Sequence, residues 1–324
     1  MQNTIGVFMK FLIAILSASS LVFADTSDEP VVEQVTMLEQ PTFTNPTLPE
    51  TQLTGTIPVL PKHQRSSFLT VGLSFLVPGL GHVYLGDLKT AASLFGSTSA
   101  LIGTNAFTHD AVSIITASNM WSYGIFAAYR DVRINNGQSG YTYRMPMDSL
   151  SDLTTAPFRW SVMKKPEVWG GLLGALTLGT AVSYFAFTDM HINSCSVSSN
   201  IFPLAAFSVG VGEESFFRGY LQSYLAERLN PTGAIVLSSL VFGAVHIPNA
   251  QGLDEKDRWR YYSFSLPLIT SLGGYMGWLT HKNRSLKSSV ALHAWYDFTL
   301  FLAGTLAAPT AVVGKPQFAY SFEF

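Results

Sequence analysis

Eight continuous apolar stretches, at 68–86, 88–107, 110–129, 168–187, 201–226, 232–249, 263–280 and 286–306, constrain this chain more than any other feature. Each approaches or exceeds the ~20 residues that an α-helix needs to cross the hydrocarbon core of a bilayer. They are continuous rather than alternating, so they do not read as strands of a membrane β-barrel. The separators are polar or turn-forming: "GDLK", "THD", "LNPTG", "LDEKDRWR" and "THKNRS".

Composition points the same way. Only 12% of the residues are charged and 48% are hydrophobic, where soluble domains average about 25% charged. The expected fold class is all-α, a polytopic membrane protein of about eight transmembrane helices, with membrane lipid as its surroundings. A net charge of −2, without any basic stripe, leaves no footprint for a nucleic-acid partner. The single cysteine, Cys195, excludes an internal disulfide and any multi-cysteine metal site, and reads as a small apolar filler.

The N-terminus, "MKFLIAILSASSLVFAD", has a basic residue, an apolar run and small residues at Val22 and Ala24 before Asp25. That pattern predicts a secretory signal peptide over 1–24. Residues 25–61 hold six acidic residues, six prolines and no Lys or Arg, so a disordered tail is expected over 25–65. The long polar loop 136–165 then divides the chain. A three-helix membrane unit is expected over 66–135, a second membrane domain over 166–306, and a C-terminal tail over 307–324.

Orientation follows from the basic loops. Residues 130–165 hold Arg130, Arg133, Arg144, Arg159, Lys164 and Lys165, and residues 281–287 hold Lys282, Arg284 and Lys287. Both loops fall on one side if all eight stretches span, and the positive-inside rule makes that side cytoplasmic. The N-terminal tail then lies outside, in agreement with the signal peptide. A multi-pass protein of a bacterial-type inner membrane is the expectation. Lys256, Arg258 and Arg260 would lie outside, balanced by Asp254, Glu255 and Asp257.

The front unit contains "VPGLGHVYLGDLKTAASLFG" over 77–96. It looks like the P-G-x-G-x-x-Y-x-G segment of a small membrane domain that recurs in bacterial proteins. Pro78, Gly79 and Gly81 are expected to kink the helix or admit a close backbone. His82 reads as an interfacial polar residue, and no chemistry is assigned to this unit.

The rear unit carries ionisable groups inside its apolar stretches, each costing about 2.5–3.5 kcal/mol on insertion scales. Glu213, Glu214 and Arg218 lie on the fifth stretch, Phe242 and His246 on the sixth, His293 and Asp297 on the eighth. A lone Glu–Arg pair would be helix glue, and a lone histidine is as often structural as functional. Three such clusters in one 85-residue stretch argue for a site.

Helix geometry sorts the first cluster. Adjacent residues point about 100° apart, so Glu213 and Glu214 cannot face one point. Glu214 and Arg218 stand at i, i+4 in the order that favours an ion pair, which leaves Glu213 without a local partner and suits it to a base. His293 and Asp297 share a face, so the carboxylate can hold one imidazole nitrogen and fix its tautomer. His246 joins them if the fifth, sixth and eighth helices pack together. By this topology His293 lies about 10 Å from the cytoplasmic end, and His246 nearer the outer end of its helix.

A carboxylate base with two oriented histidines is enough to activate water and stabilise an oxyanion. With a metal such as zinc, His246 and His293 would be ligands and Glu213 a ligand or base; the H-E-x-x-H zinc helix is absent.

The ordered trio E-E-x-x-x-R (Glu213, Glu214, Arg218), F-x-x-x-H (Phe242, His246) and H-x-x-x-D (His293, Asp297) resembles the CPBP family. These are intramembrane endopeptidases related to the CAAX prenyl protease and to bacteriocin-processing or self-immunity proteins. The resemblance covers roughly 165–306 and implies an all-helical membrane fold around a polar cavity, hydrolysing a peptide bond of a membrane-associated peptide or protein. It casts Glu213 as the water-activating base, His246 and His293 as catalytic or metal-binding partners, and Glu214, Arg218, Phe242 and Asp297 as supporting residues. Two rivals remain: a non-proteolytic immunity or partner-anchoring protein that keeps the site as architecture, and a transporter with Glu213 as proton carrier. The second would call for internal repeats, and none is evident.

Overall fold

The polar separators of the sequence become helix caps. A computed structural model describes residues 64–186, 201–251 and 253–307. In it Asp87 accepts a hydrogen bond from Thr90 N (3.0 Å) to open α3, and Asp110 accepts from Val112 N and Ser113 N to open α4. Asn230 accepts from Gly233 N with Pro231 at the first helical position, and Asp254 accepts from Asp257 N. Each cap satisfies an amide that the first turn leaves without a partner.

All regular structure among the described residues is helical. The front helices are α1 (Ser67–Leu76), α2 (Leu80–Leu85), α3 (Leu88–Thr108) and α4 (Ala111–Asn135). The polar loop contributes α5 (Leu150–Thr155) and α6 (Trp160–Met163), followed by α7 (Pro166–Ala186). The rear continues with α8 (Ala205–Glu214), a π-helical turn (Ser215–Leu221), α9 (Gln222–Ala226) and α10 (Pro231–Val245). Last come α11 (Glu255–Arg260), a second π-helical turn (Tyr261–Ser265), α12 (Leu266–Asn283) and α13 (Lys287–Ala307). The expected signal peptide and the acidic tail before residue 64 lie outside the described residues, as do Cys195 and residues 308–324.

The first apolar stretch is not one helix. It divides at Val77–Gly79, where Gly79 adopts φ +82°, and a Cβ there would strike the Ala91 carbonyl. A Cβ on Gly81 would likewise meet the backbone of Thr70. The Pro-Gly pair therefore both breaks the helix and lets backbones approach. Front and rear also meet: α4 packs along α8 and the first π-helical turn, and both belong to one compact unit.

α8 packs on α13, and α10 on α12. The loop 136–165 lies against the ends of these helices. Glu227 accepts from Arg133 Nη2 (3.0 Å), Thr142 N and Tyr143 N. Lys165 Nζ donates to Asn283 Oδ1 (2.8 Å), and Lys287 pairs with Asp152 (3.1 Å). The two basic loops placed on one side by hydropathy are therefore in contact.

Among the described residues two helical segments, Pro166–Ala186 and Pro231–Ala250, are long and apolar enough to cross a membrane. In α7 only Val168, Ala175 and Ala186 are buried, while Leu173, Leu178, Tyr184 and Phe185 are exposed. An outward apolar face of this size needs a partner other than water. The remaining expected crossings do not meet the same test: the first is broken, and those of the rear unit carry the charged and polar groups that build the site.

Candidate active site

The fully buried Glu214 stands at the centre of the polar cluster. Its Oε1 accepts from Arg218 Nη1 at 2.7 Å and from His293 Nδ1 at 2.9 Å. The i, i+4 spacing anticipated the first bond. The second joins α8 to α13 across 79 residues of sequence and had no local signal. Glu214 and Arg218 are both inaccessible to solvent, so each charge depends on the other for compensation.

Arg218 lies in the π-helical turn that follows Glu214. Such turns are uncommon and tend to occur at functional sites. The guanidinium sits 4.2 Å from the centroid of the Phe242 ring, a cation–π contact in a dry setting. Space for this pair is made by Gly273 of α12, where a Cβ would stand 3.0 Å from both Arg218 Nη2 and Phe242 Cδ1.

His293 is enclosed by carboxylates on both edges. Besides its bond to Glu214, its Nε2 lies 3.3 Å from Asp297 Oδ2 and 3.8 Å from Glu213 Oε2. Nδ1 donates to Glu214, so the hydrogen bond that fixes the ring comes from Glu214; Asp297, expected in that part from its i, i+4 spacing, flanks the other nitrogen. Glu213 differs from its neighbour: its side chain retains 26% exposure, and His293 is its nearest charged contact. Two adjacent carboxylates thus occupy two environments.

His246 closes α10 rather than lying within it. Its Nδ1 donates to the Phe242 carbonyl at 2.6 Å, and its own carbonyl accepts from the Tyr261 hydroxyl at 2.9 Å. The Phe242 ring touches the imidazoles of both His246 (centroids 4.7 Å apart) and His293 (6.1 Å). The two histidines, expected at different depths, share this ring. A cavity beside it is lined by Phe242, Ile269, Met276, Leu292, His293 and Asp297.

No zinc-ligand set is evident among the described residues. Both nitrogens of His293 already face carboxylates, and Nδ1 of His246 is committed to a backbone carbonyl. Among the described residues no group of three His, Cys, Asp or Glu side chains is disposed to hold a metal ion.

Residues 196–299, which include every one of these side chains, match the type II CAAX prenyl endopeptidase Rce1-like family. The match spans about a third of the chain and supports CPBP family membership. No curated protein and no solved structure matches the chain significantly. CPBP membership of the Rce1-like kind indicates a CAAX-type intramembrane protease, a membrane-embedded hydrolase with a peptide or protein substrate.

Proposed function

We propose that the chain is a multi-pass intramembrane endopeptidase that hydrolyses a peptide bond of a membrane-associated peptide or protein, with Glu213 as the base. The observation that carries this reading is the unequal pair of acids: Glu214 is spent on Arg218 and His293, while the part-exposed Glu213 holds its Oε2, buried and without a hydrogen bond among the described residues, 3.8 Å from the same imidazole. A structural ion pair needs one carboxylate. The second, partly open and next to a histidine, is what water activation needs.

A water between Glu213 and the substrate carbonyl gives up a proton to Glu213 while its oxygen bonds to the carbonyl carbon. With His246 and His293 in the imidazolium form, their Nε2–H groups meet the charge that develops on the carbonyl oxygen. The C–N bond then breaks, and Glu213 returns the proton to the departing amine. Nδ1 of His246 is held by the Phe242 carbonyl, so this residue acts through Nε2. Asp297 and Glu214 hold His293 upright between them, and Phe242 keeps Arg218 and both histidines in register. No step passes through a metal.

In this reading all eight apolar stretches occupy the bilayer, the first as a broken pair of short helices. The basic loops 130–165 and 281–287 face the cytoplasm of a bacterial-type cell, and residues 1–24 are removed as a signal peptide. Contact between those loops and the outward apolar face of α7 support the arrangement.

The test is cleavage by the full-length protein, purified into lipid nanodiscs, of a quenched-fluorescent library of apolar peptides. Sequence-selective cleavage is the expected result. Binding of peptides with no cleavage would instead establish the immunity or anchoring alternative.

A further inference from the structure

The segment VPGLGHVYLG and the loop 136–165 take no part in the reaction above, yet hydrogen bonds join both to the helix that carries His293. α13 begins at Lys287, so Leu286 occupies its N-cap position. Ser, Thr, Asp or Asn ordinarily accepts a bond from a first-turn amide there. Leucine has no acceptor, and this one is fully buried.

Asp148, 138 positions earlier, supplies an acceptor from outside the helix for the amide of Leu286 itself, while Ser285 Oγ accepts from Lys287 N. Asp148 Oδ2 accepts from Leu286 N at 2.7 Å and its Oδ1 from Ser285 Oγ at 2.9 Å, with Lys287 Nζ 3.4 Å away. Asp148 is itself buried, and a carboxylate at a helix N-terminus is favourably placed against the helix dipole.

Asp148 is held in turn by the front helices. Its carbonyl accepts from Arg130 Nη1 at 2.6 Å. Arg130 Nε and Nη2 donate to the two oxygens of Asp131, at 2.7 and 3.1 Å. Asp131 Oδ2 then lies 3.2 Å from Nε2 of His82, which is wholly buried in the Pro-Gly-Leu-Gly-His turn. Every link in this chain involves a charged group, the stronger class of hydrogen bond.

From Leu286 to His293 is about 10 Å of helix, a rigid lever. Any shift or rotation of its cap is carried to the imidazole, and a misplacement of about 1 Å at a reacting group can cost a hundredfold in rate.

We propose that Asp148 is a positioning residue for His293, setting the height and rotation of α13, and that Arg130, Asp131 and His82 set Asp148. The proposal rests on the reading of His293 as part of the catalytic site. It gives the front helices and the polar loop, both outside the matched residues 196–299, a part in turnover.

The test uses full-length protein labelled with 15N-histidine in lipid nanodiscs, with His293→Gln to assign the His293 signals. Asp148→Asn is expected to move the imidazole 15N resonances of His293. On a peptide chosen for its cleavage by wild type, it should lower kcat about tenfold to a hundredfold and leave KM within about twofold. Arg130→Gln, whose hydrogen bonds reach neither α13 nor the site, should move the same resonances. The double variant should lose no more than Asp148→Asn alone, because one path is being cut twice. The spectra decide the positioning claim even if no peptide is cleaved, and Arg130→Gln decides it if Asp148→Asn does not fold. Unmoved His293 resonances in a folded variant, or losses in kcat that add independently, would overturn it.

Discussion

Replacing Glu214 by alanine separates the two acids most sharply. The substitution removes the acceptor of both Arg218 Nη1 and His293 Nδ1, and the guanidinium is left fully buried with the Phe242 and Phe217 rings against it. Breaking a buried ion pair from one side costs about 3–5 kcal/mol, because the surviving charge stays desolvated. A domain of this size loses roughly 2–4 °C of Tm per kcal/mol, so the expected fall is on the order of 10 °C. Glu213→Gln removes no close hydrogen bond, and its side chain is partly open, so its Tm should stay within ~2 °C of wild type. Thermal unfolding followed by tryptophan fluorescence in nanodiscs reads both numbers. A Glu214→Ala variant as stable as wild type, or a Glu213→Gln variant equally destabilised, would refute this division of labour.

Three further outcomes are expected. Phe242→Leu should lower kcat while costing about 1–2 kcal/mol of stability, since it removes the surface that Arg218, His246 and His293 share; unchanged kcat would show that the ring organises nothing. Asp152 lies in the polar loop, and its hydrogen bonds with Ser149, then its pairing with Lys287, hold its carboxyl below the usual carboxylate range. Its stabilisation is therefore fully present above the unfolded value of about 3.9 and is lost as pH falls toward the lower folded value. The Tm gap between wild type and Asp152→Asn should accordingly be constant from about pH 7 to pH 5 and narrow progressively below ~pH 4; a gap as wide at about pH 2 as at pH 7 would contradict it. Purified protein should contain less than one zinc per chain and keep its activity in a chelator, and loss of activity reversed by zinc would overturn the metal-free site.

Much of this arrangement was legible in the sequence where the determinant is local. The polar separators marked the helix caps because an Asp or Asn beside a first turn satisfies amides whatever the rest of the fold does. The i, i+4 spacing of Glu214 and Arg218 gave their pairing for the same reason. What escaped notice depends on contacts between distant segments. Nothing near Glu214 announces that His293 will share it, and nothing near Leu286 announces that Asp148 will cap its helix. The π-helical turn at Ser215–Leu221 leaves no periodic signature, being a single extra residue in an otherwise helical run. The division of the first apolar stretch was half visible: Pro78 and Gly79 marked a disturbance, but only the close approach of Ala91 explains why the chain breaks there instead of bending.

The reading stands or falls on whether Glu213 moves the proton of the attacking water. The direct measurement is the single-turnover rate of peptide cleavage by Glu213→Gln beside wild type, in the same nanodiscs and with unfolded protein excluded by thermal melting. A positioned general base contributes about 10²–10⁴-fold, so the rate should fall by at least a hundredfold in a fully folded variant. Cleavage within a few-fold of wild type would assign the chemistry to another residue.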